Sequence, residues 1–124
     1  MGTKIAAVII LIITVGGVTL NTVVLDRMIG EKLVAAEALT ISDEAPGASE
    51  KAVALAYEDF KRAERYISLT VNHDDLTNIE QLFAELIGHL SVGDTDSARV
   101  TKNRLVDALC HLRRLSGFNI DSVI

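Results

Sequence analysis

Ile5-Ala-Ala-Val-Ile-Ile-Leu-Ile-Ile-Thr-Val-Gly-Gly-Val-Thr-Leu-Asn-Thr-Val-Val-Leu25 contains no charged residue. As a helix rising 1.5 Å per residue it would be about 31 Å long, close to the thickness of a bilayer's hydrocarbon core. The Ile and Val density does not make it a strand, because a lone segment in lipid must satisfy its backbone internally, which a helix does. Thr hydroxyls can return to the helix backbone, and Gly16-Gly17 is tolerable in that setting. Residues 1–25 therefore read as a transmembrane anchor. A cleaved signal peptide ending near Gly16-Gly17 is the competing reading. Against it, the apolar run continues to Leu25 and no A-x-A site is present. Lys4 on one side, with Arg27 and Lys32 on the other, nearly balances the positive-inside count. The short lead before the apolar run suits a signal-anchor that exports the C-terminal part of the chain. The expected location is thus the cell membrane, single-pass, with that C-terminal part extracytoplasmic.

The rest of the chain is polar and acidic. Over 124 residues, 12 Lys+Arg face 17 Asp+Glu, a formal net charge of −5. That balance argues against a nucleic-acid partner, which needs a basic face. The single Cys excludes an intramolecular disulfide framework and any Cys-rich metal site. Residues 26–48 read as a juxtamembrane helical extension and an acidic linker. Met28, Ile29, Leu33 and Ala36 fall near one side, and the only Pro breaks the pattern. From residue 26 to 59 there are 3 positive and 8 negative charges, which suggests a solvated spacer.

Residues 49–124 carry three apolar stripes at helical spacing. The first runs through Val53, Ala56, Phe60, Ala63, Ile67 and Thr70, with Ser49 as its expected N-cap. Leu76, Ile79, Phe83, Leu86 and Leu90 form the second, closed by Gly93 in the left-handed position. Ala98, Thr101, Leu105, Ala108, Leu112 and Leu115 make the third. Short connections between such helices predict an antiparallel three-helix bundle. The fold class expected is thus all-α: one transmembrane helix with its extension, then the bundle. The apolar Phe118-Asn-Ile-Asp-Ser-Val-Ile124 end should fold back on it.

Arg65-Tyr-Ile-Ser-Leu-Thr-Val-Asn-His-Asp-Asp-Leu-Thr-Asn-Ile-Glu80, the helix and turn from there to Asp94, and the Phe118-Asn-Ile end resemble one family. It is an uncharacterised bacterial family, mostly Gram-positive and often spore-forming, of small proteins with one membrane span and a helical C-terminal domain of unknown function. The resemblance covers nearly the whole chain in layout and is sharpest at Asn-His-Asp-Asp. Members more often carry a Trp in the helix before that turn, where this chain has Tyr57 or Phe60. The resemblance implies a layout and a bacterial source, and no activity.

His73, Asp74 and Asp75 are the weak candidates for a metal or acid–base site, since imidazole and carboxylate together ligate divalent cations or exchange protons. No H-x-x-x-H or H-E-x-x-H accompanies them, so capping of a helix by Asp74 or Asp75 is the simpler reading. Thr77-Asn-Ile-Glu80 also has the capping-box spacing. His89 and His111 sit beside the apolar seams, and Cys110 falls away from its stripe toward solvent. Arg99, Lys102, Arg104, Arg113 and Arg114 read as a solvated basic face. No catalytic residue and no cofactor is expected, and the chain is not expected to be an enzyme. The expected partners are the lipid bilayer and a protein partner or second copy docking on the bundle. The alternative is a small metal- or ligand-binding sensor or enzyme using His73, Asp74 and Asp75, joined by His89 or His111.

Overall fold

The computed structural model describes residues 2–116, and they form four helices. These are α1 (Gly2–Ala38), α2 (Pro46–Ile67), α3 (His73–Ser91) and α4 (Thr95–Ser116), with no strand among the described residues. The expected all-α architecture, a long apolar N-terminal helix followed by helices that pack together, is present. The stretch from Phe118 onward lies outside the described residues.

α1 is one unbroken helix with two environments. Residues 2–20 are exposed along their whole length, and Thr14 and Thr19 donate to the carbonyls four residues earlier at 2.8 Å. Thr22 does the same at 2.9 Å. From Leu25 on, the helix is amphipathic: Leu25, Ile29, Leu33 and Ala36 recur every three or four residues and are buried. They belong to the same core cluster as Val53, Phe60, Ile79, Leu86, Leu105 and Leu112. The extension is therefore a structural member of the bundle. α4 packs against both α1 and α3, α2 packs against α3, and the α1–α2 seam is sparser than any of these. The three expected stripes are joined by a fourth, and the acidic stretch is docked where its charge count suggests a solvated spacer.

Helix ends follow local chemistry. α2 begins at Pro46, three residues before the Ser49 expected to cap it, because Pro suits the first helical position, where no N–H partner is needed. Ser49 is instead buried: its hydroxyl donates to the Thr40 carbonyl and accepts from the Ser42 N–H, both at 3.0 Å, pinning the linker to α2. α3 is capped by Asn72, whose side chain accepts from the Asp74 N–H at 3.1 Å. Gly93 takes φ +75°, and the N–H groups of Gly93 and Asp94 close α3 onto Leu90 and His89. Asp94 then accepts from the Ser97 N–H at 3.1 Å and starts α4. In α4, Leu109 is buried at the level where the stripe predicts Ala108, and Leu115 is 53% exposed.

Three aromatic residues, Tyr57, Phe60 and Phe83, form one joint. Tyr57 stacks on Phe83 at 5.1 Å between centroids, Phe60 tilts against the same ring at 5.7 Å, and the Lys61 ammonium lies 4.2 Å from the Tyr57 ring. They bind α2 to α3 at mid-height.

Candidate functional site

The residues nominated by sequence for chemistry do not converge. His73 and Asp74 are exposed in the first turn of α3, and Asp75 is half-buried beside them. His89 lies in the last turn of the same helix, sixteen positions away, about 24 Å along the axis. His111 is exposed on α4. Among the described residues no group of three His, Cys, Asp or Glu side chains is placed to hold a metal ion. The first turn of α3 does what acidic residues commonly do there, complementing the helix dipole beside the Asn72 cap. Cys110 is half-buried against the core, where the sequence pattern suggests exposure, because the α4 stripe turns to include Leu109.

The arrangement that the fold does build is a strap. Residues 26–43 are fixed to α4 by side chains that the sequence presents as solvated. Arg113 makes a forked contact with Asp26, Nε to Oδ1 at 2.9 Å and Nη2 to Oδ2 at 3.3 Å. That guanidinium holds the Asp26 carboxyl below the usual carboxylate range, chiefly by its hydrogen bond. Its flat face also passes Gly30, where a Cβ would come within 3.3 Å of the guanidinium carbon. Lys102 donates to the Glu37 and Leu39 carbonyls at the C-terminal end of α1, where unsatisfied carbonyls collect. Arg99 donates to the Ile41 carbonyl at 3.1 Å and pairs with Asp43 at 2.9 Å, while the Thr95 hydroxyl also donates to Asp43. On the other flank, Lys32 bridges to Asp59 of α2. Arg104 reaches Glu85 at 3.4 Å and stays on the outer face.

A second polar group marks where α1 leaves the bundle. The Tyr66 hydroxyl donates to Asn21 Oδ1 at 2.6 Å, and Asn21 Nδ2 donates to Thr70 Oγ1 at 3.4 Å. This collar ties α1 to the α2–α3 turn. Just beside it, Leu69 is 81% exposed. Below the collar stand the exposed apolar residues from Ile5 to Leu20, part of the one described helix, Gly2–Ala38, that is long and apolar enough to cross a membrane. Sequence reasoning passes over Tyr66 and Leu69, and it reads Asn21 as lipid-facing or as a contact between two anchors, not as a tie to the bundle. Asn21 sits within the apolar run, and Leu69 falls off the α2 stripe, so neither stands out by periodicity.

One further electrostatic feature lies between α2 and α3. Glu64 is half-buried, and its carboxyl is pushed up to about 7, first by desolvation and then by the hydrogen bond and charge of Glu80, with Lys61 opposing.

No family model matches this chain, and no curated protein or solved structure matches it.

Proposed function

We propose that the chain is a membrane-anchored helical interaction module of the bacterial cell envelope. Residues 2–20 of α1 are the anchor, and the bundle is the part offered to a protein partner or to a second copy. The observation that carries this reading is the single helix that is exposed and apolar over residues 2–20 and then enters the core at Leu25 without a break. A soluble bundle has no use for some sixteen uncharged, solvent-facing residues in a row, whereas a bilayer buries them favourably. The strap that fixes residues 26–43 to α4 supplies the rigidity a docking scaffold needs.

Two measurements test it. The full chain should stay with the membrane fraction after an alkaline carbonate wash; release into the supernatant would refute the anchor. Cross-linking in cells should recover a partner or a dimer that is lost when α2 to α4 are deleted; recovery by the anchor alone would refute the role given to the bundle. The extracytoplasmic placement is tested at Val92, which is 77% exposed on the α3–α4 turn. In a Cys110→Ser background, Val92→Cys should react with a membrane-impermeant thiol reagent on intact cells. Reaction only after lysis would put the bundle in the cytoplasm.

A further inference from the structure

The uncharged run in the sequence is long enough to cross the hydrocarbon core, but the part of it that is free of the bundle is not. The bundle takes hold of α1 at Asn21 and buries Leu25 completely. What remains between the charged Lys4 and the collar, residues 5–20, rises about 24 Å. The hydrocarbon core is about 30 Å thick, so the free helix falls short by several ångströms. A bundle standing off in water would need exposed helix to spare. This one has none, so its lower end is drawn to the bilayer boundary.

That lower end has the surface for it. The α2–α3 turn presents Leu69, 81% exposed, and the last turn of α2 presents Tyr66, 37% exposed with its hydroxyl committed to Asn21. Val23 on α1 is 57% exposed and Leu115 at the end of α4 is 53% exposed, so lipid-compatible side chains continue upward from the span on both of these helices. A Tyr with an apolar ring and a satisfied polar tip is the residue type that collects at the membrane–water interface. Arg65 and Arg114 stand exposed in the last turns of α2 and α4, at the same end, where their stems can lie along lipid and their heads reach phosphate. Asp74 and Asp75 open α3 at this end too and limit the depth, keeping the seat within the headgroup layer.

We propose that the base of the bundle is itself a lipid-contact surface, with Leu69 and Tyr66 seated in the headgroup layer of the bilayer that α1 crosses and Leu115 at its margin. The proposal rests on the anchor reading above and adds to it that the bundle is not a free head on a stalk. The geometry also accounts for an exposed Leu in a turn, which would otherwise cost free energy in water.

The test uses spin labels on the full chain, reconstituted in vesicles of phosphatidylcholine and phosphatidylglycerol. In a Cys110→Ser background, labels are placed singly at Leu69→Cys, Val92→Cys and Ile12→Cys, all exposed positions where a label fits without disturbing the core. Collision with oxygen, which partitions into lipid, is compared with collision with a water-soluble nickel chelate. The expected result is an oxygen-to-nickel ratio several-fold higher at 69 than at 92, with 12 higher still. A ratio at 69 equal to that at 92, with 12 in lipid, would overturn the seat and leave the anchor standing. Low accessibility to both reagents at 69 would place a protein surface there, such as a second copy, and would also overturn it. A water-like ratio at 12 would overturn the anchor and the seat together.

Discussion

Replacing Ile29 with Ala tests whether the α1 extension is part of the folded unit. Ile29 is 0% exposed and lies one turn from Leu25 and Leu33 in the shared core. The substitution removes three buried carbons, worth about 2.4 kcal/mol in transfer free energy. The cavity left behind, between helices that can close only partly around it, raises the expected loss to about 3–4 kcal/mol. In a small domain, that is a large share of the total stability. With a urea slope of about 1.5 kcal/mol per molar, the midpoint should fall by roughly 2–2.7 M. The assay is urea unfolding in mild detergent followed by Tyr fluorescence, since Tyr57 is stacked at the α2–α3 joint and reports the bundle. Val34→Ala is the matched control: it lies on the same helix but is 63% exposed, and should cost no more than about 0.5 kcal/mol. If both variants unfold at the parental midpoint, the extension is a solvated spacer and the packing argument fails.

Ser49→Ala removes a buried hydroxyl that serves both the Thr40 carbonyl and the Ser42 N–H, so it should cost about 1–3 kcal/mol. It should also speed cleavage after Glu44 by a glutamate-specific protease; an unchanged cleavage rate would count against the linker's being pinned there. Glu64 retains its proton in the folded state up to about 7, while the unfolded chain releases it near the ordinary 4.5. Its contribution is therefore most favourable below pH 4.5 and is lost as pH rises toward 7. Glu64→Gln should flatten that slope and raise stability above neutral pH by about 1–2 kcal/mol, read from urea midpoints across a pH series. An unaltered pH profile would argue against the Glu80 pairing. Asp26 and Arg113 are each about half exposed, so a double-mutant cycle of Asp26→Asn with Arg113→Gln should give a small favourable coupling, distinguishable from zero at low salt and screened at high salt. Because the folded Asp26 carboxyl is held low, that coupling should be complete above the usual carboxylate range and vanish as pH falls through the folded value. A coupling that survives in strong acid would contradict the assignment.

The stripes are readable because a three-four spacing of Leu, Ile and Phe has few other uses in a polar chain. Val53, Phe60 and Ile67, the stripe from Leu76 to Leu90, and Ala98, Leu105 and Leu112 reach the core as the pattern requires. The docking of residues 26–43 is harder to see, since its partners lie far along the chain: Asp26 and Arg113 are 87 positions apart. A local charge count sees eight carboxylates and too few cations to neutralise them. Leu25 is hidden for a different reason, being the last residue of an apolar run and the first of an amphipathic one. Ser49 looks like a cap in sequence because a cap and a buried linker pin need the same hydroxyl, and only the position of Pro46 decides between them. The collar at Asn21 is invisible because its partners lie at a turn, where periodicity says nothing.

The continuity of α1 has a mechanical consequence. There is no Pro or linker between its exposed apolar part and its core part, so the two cannot pivot independently. From Asn21 to Ala38 the helix rises about 26 Å, and a tilt of about 20°, ordinary for a lipid-crossing helix, swings the far end sideways by about 9 Å. The helix is thus a lever with one arm in the bilayer and the other bound, through Asp43 and its partners Thr95 and Arg99, to the start of α4. A change in bilayer thickness or in helix tilt would be felt there as displacement, with no slack in the strap to absorb it.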